Sequence, residues 1–224
     1  MKKNFILFFL ILFYVYNSTA EDFIDRFNIP GKKPEIHKID YLEESQKIIA
    51  DCEYADLTMN FSGENKCVVN IQANNSKFES VCSINKNMLE GIYHFNLNKS
   101  TPCLLICYYA EGATGLSANI MKALLIKLYD KKIELIQLST FGSVYKNFID
   151  TNNDGTFEFI CIDLFYPKTD DERFFIANYF TLSDEIKNIS DKTQLKMIGL
   201  YNDEIVVKKQ NEIDYKLLTK PSIF

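Results

Sequence analysis

What the sequence lacks narrows its chemistry before any motif is considered. It contains no tryptophan and only two histidines, His37 and His94, among 224 residues. Without tryptophan, the chain has few side chains suited to stacking on sugar rings. A serine triad would need one of the histidines as its base, but His37 lies in a predicted arm and His94 on a predicted strand. We therefore interpret both histidines as structural.

Basic clusters are also missing. Lys208 and Lys209 are adjacent, but Lys216 stands apart from them with acids in between. Nucleic-acid binding needs clustered lysine and arginine to contact phosphates, so we predict no nucleic-acid partner. The net charge is −5, and removing the two leader lysines without losing an acid would make it −7. This acidity suits a basic protein partner or divalent cations, and it also suits ordinary solubility.

Long apolar runs are absent except near the N-terminus. Lys2 and Lys3 precede an apolar run at residues 5–16, and small residues follow at positions 18–20. This layout is typical of a secretory signal peptide. The run is shorter than the roughly 20 residues of a membrane span, and no cysteine lies just after the small residues to carry a lipid. We expect residues 1–20 to be removed on export, leaving a periplasmic or secreted chain without a transmembrane segment.

Six cysteines follow this leader. An even number in an exported chain predicts disulfides. A zinc site is the alternative, but it favours cysteines two residues apart with histidine partners, whereas Cys103 and Cys107 are four apart. The six disulfide candidates, whose pairing the sequence leaves open, are Cys52, Cys67, Cys82, Cys103, Cys107 and Cys161.

Hydrophobic periodicity predicts a mainly β fold. Apolar residues at 55, 57, 59 and 61 alternate with polar ones, as on a half-buried strand. With strands at 67–72 and 78–84 they form an antiparallel meander. That meander places Cys67 and Cys82 on neighbouring strands, with Cys52 as the competing partner. Further strands are predicted at 92–95, 103–109, 123–129, 133–138, 157–165, 174–182, 195–201 and 205–208, with loops at 167–172 and 183–192.

The N-terminal region after the leader is predicted to differ. Residues 21–40 contain Pro30, Gly31 and Pro34, which favour an extended arm. The sequence Asp-Tyr-Leu-Glu at 40–43 resembles a capping box and predicts a short helix to about residue 50. The expected fold class is therefore mainly β, with antiparallel meander sheets, partly propeller-like or a sandwich, and a short N-terminal helix. Residues 41–224 would form one β-rich domain, or two parts divided as 41–88 and 89–224.

An acidic turn at residues 150–155 is the clearest candidate site. Asp150, Asn152 and Asp154 place side-chain oxygens at every second position, and Gly155 permits a sharp bend. Calcium binds 6 to 8 oxygen ligands, so the spacing predicts a structural calcium loop. The alternative is a plain hairpin turn, which Asn-Asp-Gly also favours. The candidate ligands are Asp150, Asn152, Asp154, Thr156 and Glu158.

The flanking sequence indicates which kind of calcium loop this would be. The helix-flanked calcium hand requires glutamate at its twelfth position, where this chain has Cys161. An acidic loop between two strands instead resembles the FG-GAP and VCBS repeats, in the degenerate form found in exported bacterial proteins of unassigned role. The likeness covers residues 148–165. It implies a bound calcium and the ligands named above.

A fainter second copy accompanies this loop. Residues 92–108 can be laid over 146–162 at a shift of 54, so that 96–100 falls on 150–154. The first copy lacks the carboxylates and the glycine. Two turn-plus-strand units suggest stacking of the propeller-blade kind, although a closed propeller takes at least four blades.

A glycine-bearing loop at residues 111–117 carries no catalytic signature. It lacks the lysine of a phosphate-binding loop and does not match the serine nucleophile elbow. We interpret it as a turn, with an exposed contact loop as the alternative reading. The residues of that alternative are Gly112, Thr114, Gly115 and Ser117.

These observations favour an exported, non-catalytic protein-binding module, such as an inhibitor or immunity protein that caps a toxin or hydrolase. Its oligomeric state is not specified by the sequence. A secreted metal-dependent hydrolase using Asp150, Asp154 or Asp171 is one alternative. A surface adhesion protein is another, since four sequons after the leader permit glycosylation. These sequons begin at Asn60, Asn74, Asn98 and Asn188.

Overall fold

The computed structural model describes ten stretches of the chain: residues 24–27, 29–63, 66–73, 76–110, 112–113, 118–129, 132–165, 173–182, 187–201 and 204–209. Side chains are described as far as Leu182, apart from those of Arg26, Phe165, Arg173 and Phe174. The predicted signal peptide and the predicted loop at 167–172 lie outside these stretches.

The described chain forms three five-stranded antiparallel sheets, with strands numbered in chain order. The first sheet contains β2 (Leu42–Glu44), β3 (Lys47–Cys52), β4 (Ala55–Phe61), β5 (Cys67–Ala73) and β6 (Ser76–Cys82). The second contains β1 (His37–Lys38), β7 (Leu89–Asn98), β8 (Thr101–Tyr109), β9 (Ile120–Leu128) and β10 (Ile133–Phe141). The third contains β11 (Phe148–Ile149), β12 (Glu158–Phe165), β13 (Arg173–Thr181), β14 (Lys187–Tyr201) and β15 (Glu204–Lys209). The predicted β class and antiparallel meanders are thereby confirmed.

The second sheet is the middle layer, and both of its faces are buried. On one face, Leu104, Ile106, Leu124 and Ile126 belong to the same apolar cluster as the inner residues of the first sheet. On the other face, the alternate residues of β8 and β9 pack with the third sheet. That second cluster includes Leu105, Cys107, Ala123, Leu125, Phe148, Phe159 and Phe180.

Two-sided burial explains the sequence of the central strands. Residues 103–108 of β8 and 123–128 of β9 are buried without interruption. A strand covered on both faces reads as a continuous apolar run, and such a run is hard to distinguish from a buried helix. The strand predicted at 123–129 and its partner at 133–138 are both confirmed, because β9 pairs with β10 from Leu128↔Ile133 onward.

The N-terminal segment covers the far face of the third sheet. A 3-10 turn at Ile24–Phe27 buries Ile24 and Phe27 against a cluster that includes Ile160, Phe175 and Ala177. Further along, Lys32 forms a backbone bridge with Asp150, and β1 pairs with β7.

The helical segments named in the structure are 3-10 turns. Among the described residues, no helix has the length and apolar character of a membrane span.

A buried polar network joins the second and third sheets. The side-chain amide of Asn147 donates to Thr140 Oγ1 at 2.9 Å and to the Ile160 backbone carbonyl at 2.7 Å. Thr140 Oγ1 also accepts from the Ile162 amide at 2.8 Å. Buried polar groups are costly unless they are bonded, so these contacts fix how β10 lies against β12.

Lys127 is a charged residue buried within the core. Its side chain is 2% exposed, and its Nζ lies 2.7 Å from Glu134 Oε2 and donates to the Leu182 carbonyl at 3.0 Å. Burial alone lowers the pKa of Lys127, but hydrogen bonds with Glu134 and Tyr129 outweigh it and raise the pKa above its ordinary value. The charge is therefore compensated where the second and third sheets meet.

The helix predicted to run to about residue 50 is wrong. Residues 42–52 form the β2–β3 hairpin, in which Leu42 pairs with Ile49 and Glu44 with Lys47. The capping-box pattern is a local signal, whereas Ile48 and Ala50 alternate with their neighbours and bury in the core of the first sheet. The β-branched Ile48 and Ile49 suit a strand better than a helix.

The loop predicted at 183–192 is also wrong in part. Residues 187–192 belong to β14, which begins at Lys187 and pairs with β13 from Thr181↔Lys187. Their polar sequence gave no strand signal. Cross-strand pairing supplies the order that their hydropathy does not indicate.

Candidate functional site

The acidic turn lies in the hairpin between β11 and β12. Phe148 pairs with Phe159 and Ile149 with Glu158, so the predicted strand does follow the loop. Two backbone hydrogen bonds between Lys32 and Asp150, at 3.2 and 2.8 Å, attach the loop entrance to the N-terminal segment. Residues 150–157 are therefore held at both ends.

The buried Asp150 carboxylate accepts hydrogen bonds from the backbone of its own loop. It is 4% exposed, and its two carboxylate oxygens accept from the amides of Asp154 and Gly155, both at 3.1 Å. Gly155 has φ +85° and Asn153 has φ +59°. Both lie in the left-handed region, which glycine adopts freely and asparagine tolerates.

Asn152 and Asp154 lie on the exposed side of the turn. Asn152 Oδ1 accepts from the Asp154 amide at 2.9 Å, and Asp154 Oδ1 accepts from the Thr156 amide at 2.7 Å. The Thr156 amide, together with the Asn152 side chain, lowers the pKa of the Asp154 carboxyl. These bonds are those of successive Asx turns, in which a side chain caps the backbone two residues on.

Glu158 is the innermost of the five predicted ligands. It is 1% exposed, and its Oε2 accepts from both the amide and the hydroxyl of Thr151 at 2.8 Å. Within the described stretches, no lysine or arginine forms an ion pair with Glu158, Asp150 or Asp154. Two buried carboxylates thus depend on backbone and hydroxyl donors for compensation.

The loop only partly fits a metal site. Among the described residues, no three His, Cys, Asp or Glu side chains converge as metal ligands. The loop carboxylate oxygens already accept hydrogen bonds from their own backbone, but a carboxylate has about four acceptor sites, so accepting capacity remains. The described geometry is that of a tightly capped turn, and calcium would require its outer side chains to reorient.

The fainter copy contains one hydrogen bond equivalent to a bond in the acidic loop. Asn98 Oδ1 accepts from the Ser100 amide at 2.9 Å, as Asn152 does from Asp154 at the matching positions. The Phe157 amide donates to the Leu97 carbonyl at 2.9 Å, so the two hairpin ends are adjacent. Asx turns are common, and the repeat stays a prediction.

The glycine-bearing loop is described only in part. Gly112 has φ +69°, and a Cβ placed on it would meet nothing within 4 Å. That geometry belongs to an exposed turn. Thr114, Gly115 and Ser117 lie outside the described residues, as does Asp171 of the hydrolase alternative.

The proximity of the two histidines was not predicted from the sequence. His37 and His94 are Cα partners across β1 and β7, and their ring centroids lie 5.0 Å apart. The two residues are distant in sequence, and only strand register brings them together. The one available signal was that the chain contains no other histidine.

The sheet geometry narrows the disulfide pairing. All six cysteines are free thiols in the structure, but Cys67 and Cys82 are direct Cα partners across β5 and β6. Such partners lie about 4.5–5.5 Å apart, within the range of a disulfide. Cys52 pairs with Ala55 at the opposite end of β4, whose Phe61 faces Cys67. Cys52 is therefore too distant to compete.

The remaining cysteines lack such partners. Cys103 and Cys107 lie four residues apart on β8, roughly 13 Å at strand spacing, beyond disulfide reach. Burial raises the pKa of Cys103 to about 12 and that of Cys161 well above its ordinary value. The Cys161 thiol donates to the Ser139 carbonyl at 3.1 Å. Burial raises the pKa of Cys67 to about 12 as well, so strand register and not thiol reactivity distinguishes the predicted pair.

Comparison of the chain with models of protein families, with curated protein sequences and with solved structures gave no match. The resemblance of residues 148–165 to FG-GAP and VCBS repeats therefore stays a prediction from the sequence.

We predict that oxidation joins Cys67 to Cys82 and leaves the other four thiols free. Closing a loop of this size should raise the free energy of unfolding by about 3 kcal/mol. Peptide mapping without reductant should find this one bridge, and Cys82→Ala should remove the stability difference between oxidised and reduced protein. Any bridge involving Cys52, Cys103, Cys107 or Cys161 would contradict the prediction.

Proposed function

We propose that this chain is an exported, non-catalytic protein-binding module that docks its partner on the first sheet. The observation that carries this proposal is Val81, which is 63% exposed on β6. β6 is the last strand of its sheet, and no other described strand pairs with its outer edge. A free edge next to an exposed apolar side chain is a surface on which an extended segment can add a strand.

The surface beside Val81 supports docking. We define the open face of the first sheet as the side chains that point away from the second sheet. Val68 lies beside Val81 on this face, in register across β5 and β6. Leu42, at the opposite edge of the same sheet, is 60% exposed but lies outside the docking site proposed at the β6 edge. The members of the open face are Leu42, Glu44, Lys47, Ile49, Asp51, Asp56, Thr58, Asn60, Val68, Asn70, Gln72, Lys77, Glu79 and Val81.

Charges on the open face favour selectivity over self-association. Lys77, Glu79 and Val81 occupy every second position of the edge strand and therefore share the open face. Charges at a sheet edge discourage two copies from pairing. The predicted exported chain carries a net charge of −7, which favours a basic partner through faster association. An inhibitor or immunity protein that caps a basic toxin or hydrolase would have this combination of edge and charge.

We expect Val81→Lys to weaken partner binding at least tenfold, because a buried lysine would replace an apolar contact at the edge. Leu42→Lys is the matched control, since Leu42 is almost equally exposed at the other edge. The exported protein carrying a photocrosslinking residue at position 81 or 42 should be exposed to extracts of the exporting cells.

A single adduct of one-to-one stoichiometry at position 81, absent at position 42, is the expected result, and the captured protein then serves for affinity measurements. Equal capture at both positions would contradict docking at the β6 edge. No adduct, combined with turnover in a panel of hydrolase substrates, would favour the metal-dependent hydrolase alternative instead.

We further propose that the loop at 150–158 binds one structural calcium ion, as its resemblance to FG-GAP and VCBS loops implies. Support comes from Asp150 and Glu158, which are buried without an ion-pair partner among the described residues. Buried charge is costly unless it is paired or bound to metal. Asn152, Asp154 and the Thr156 carbonyl would complete the oxygen shell, with Asp154 turning inward from its present hydrogen bonds.

Calcium at a hundredfold excess over its dissociation constant should stabilise the protein by about 2.7 kcal/mol, or roughly 5–10 °C in melting temperature. Asp150→Asn should abolish this shift, whereas Asp56→Asn, a change on the open face, should retain it. Differential scanning calorimetry in chelator and in millimolar calcium measures both. An unchanged melting temperature in the parent protein would contradict the calcium proposal.

A further inference from the structure

We propose that His37 and His94 form a site for a divalent transition-metal ion of the nickel, copper and zinc class. These are the only histidines of the chain, and the β1–β7 register places them directly opposite each other. Imidazole is a preferred ligand for all three metals. The site is separate from the acidic loop, whose oxygen donors suit calcium.

The ring separation agrees with a shared ion. Two imidazole nitrogens that bind one ion at about 2.0–2.1 Å with a near-tetrahedral angle place their ring centroids roughly 5 Å apart. The observed separation is 5.0 Å, with an interplanar angle of 32°. Binding therefore needs side-chain rotation but no change in strand register.

Glu35 lies close to one of the two rings. Its Oε1 lies 3.4 Å from His37 Nε2. When Nε2 carries the proton toward this carboxylate, Nδ1 has its lone pair free for a metal. Metal-binding histidines commonly donate their second nitrogen to a carboxylate in this way.

The surroundings leave the pair accessible. The His37 side chain is 51% exposed, so an ion can approach from solvent. Tyr54 lies on the other side, with its ring centroid 6.4 Å from that of His94. Because no group of three metal-binding side chains occurs among the described residues, water would fill the remaining positions.

Metal binding would fasten the N-terminal segment to the middle sheet. β1 has only two residues, His37 and Lys38, and the neighbouring Ile39 amide donates to the Ile92 carbonyl at 2.8 Å. An ion held by both strands binds only when they are paired. It therefore stabilises the docked segment by linkage.

The test is a nickel titration of the predicted exported chain, monitored by isothermal calorimetry. The melting temperature is measured with and without nickel. We expect one equivalent of Ni²⁺ to bind and the melting temperature to rise. His37→Gln and His94→Gln should each weaken binding at least tenfold. Asp154→Asn, in the acidic loop, should not. With one equivalent of Cu²⁺, electron paramagnetic resonance should show two nitrogen ligands in the parent and fewer in His37→Gln.

Unchanged Ni²⁺ affinity in both histidine variants would overturn the proposal, as would absence of binding to the parent. Cysteine binding is recognised because it survives both histidine substitutions. His37→Gln alters a half-exposed side chain at a sheet edge, so it decides the question even if His94→Gln fails to fold. Its melting temperature without metal should equal that of the parent.

Discussion

Burial of the middle sheet on both faces is the constraint on which the rest of the structure depends. β8 and β9 present alternate residues to two different apolar clusters, one shared with the first sheet and one with the third. Neither outer sheet could bury its apolar face without the middle one, because a sheet with one apolar face needs a second layer. The compensated charge of Lys127 and the Asn147–Thr140 contacts lie where the second and third sheets meet. These polar contacts fix the relative position of the sheets, while apolar burial provides the driving force.

The layered arrangement also determines what each surface can do. The third sheet carries the acidic loop at a hairpin end and has its far face covered by Ile24 and Phe27. Among the described residues the first sheet is covered on one side only, and we propose that a partner binds at its β6 edge. β1 lies at the edge of the middle sheet, where its short pairing with β7 brings the two histidines together. Three chemically different surfaces thus arise from one stacking pattern, and each is tested by variants that leave the other two intact.

Much of this fold could be predicted from sequence, for identifiable reasons. The alternation at 55–61 gave β4 directly, and the turns between short strands gave the meander that pairs Cys67 with Cys82. The helix expected after Asp40 failed because a capping pattern is local, whereas burial of Ile48 is set by distant residues. Part of β14 was missed because its polar residues are ordered by pairing with β13. At the site, the hairpin context of 150–158 was predicted, but the burial of Asp150 and Glu158 and the opposition of His37 and His94 depend on tertiary packing and strand register.

Amide hydrogen exchange, resolved by residue, tests the central claim that the doubly covered middle sheet holds the structure together. Exchange in the most protected regions of a protein requires global unfolding, whereas edges open locally. We expect the amides of β8 and β9 to exchange slowest, at rates set by the global free energy of unfolding, and those of β2 and β6 to exchange much faster. Exchange in β8 and β9 as fast as in β6 would contradict it.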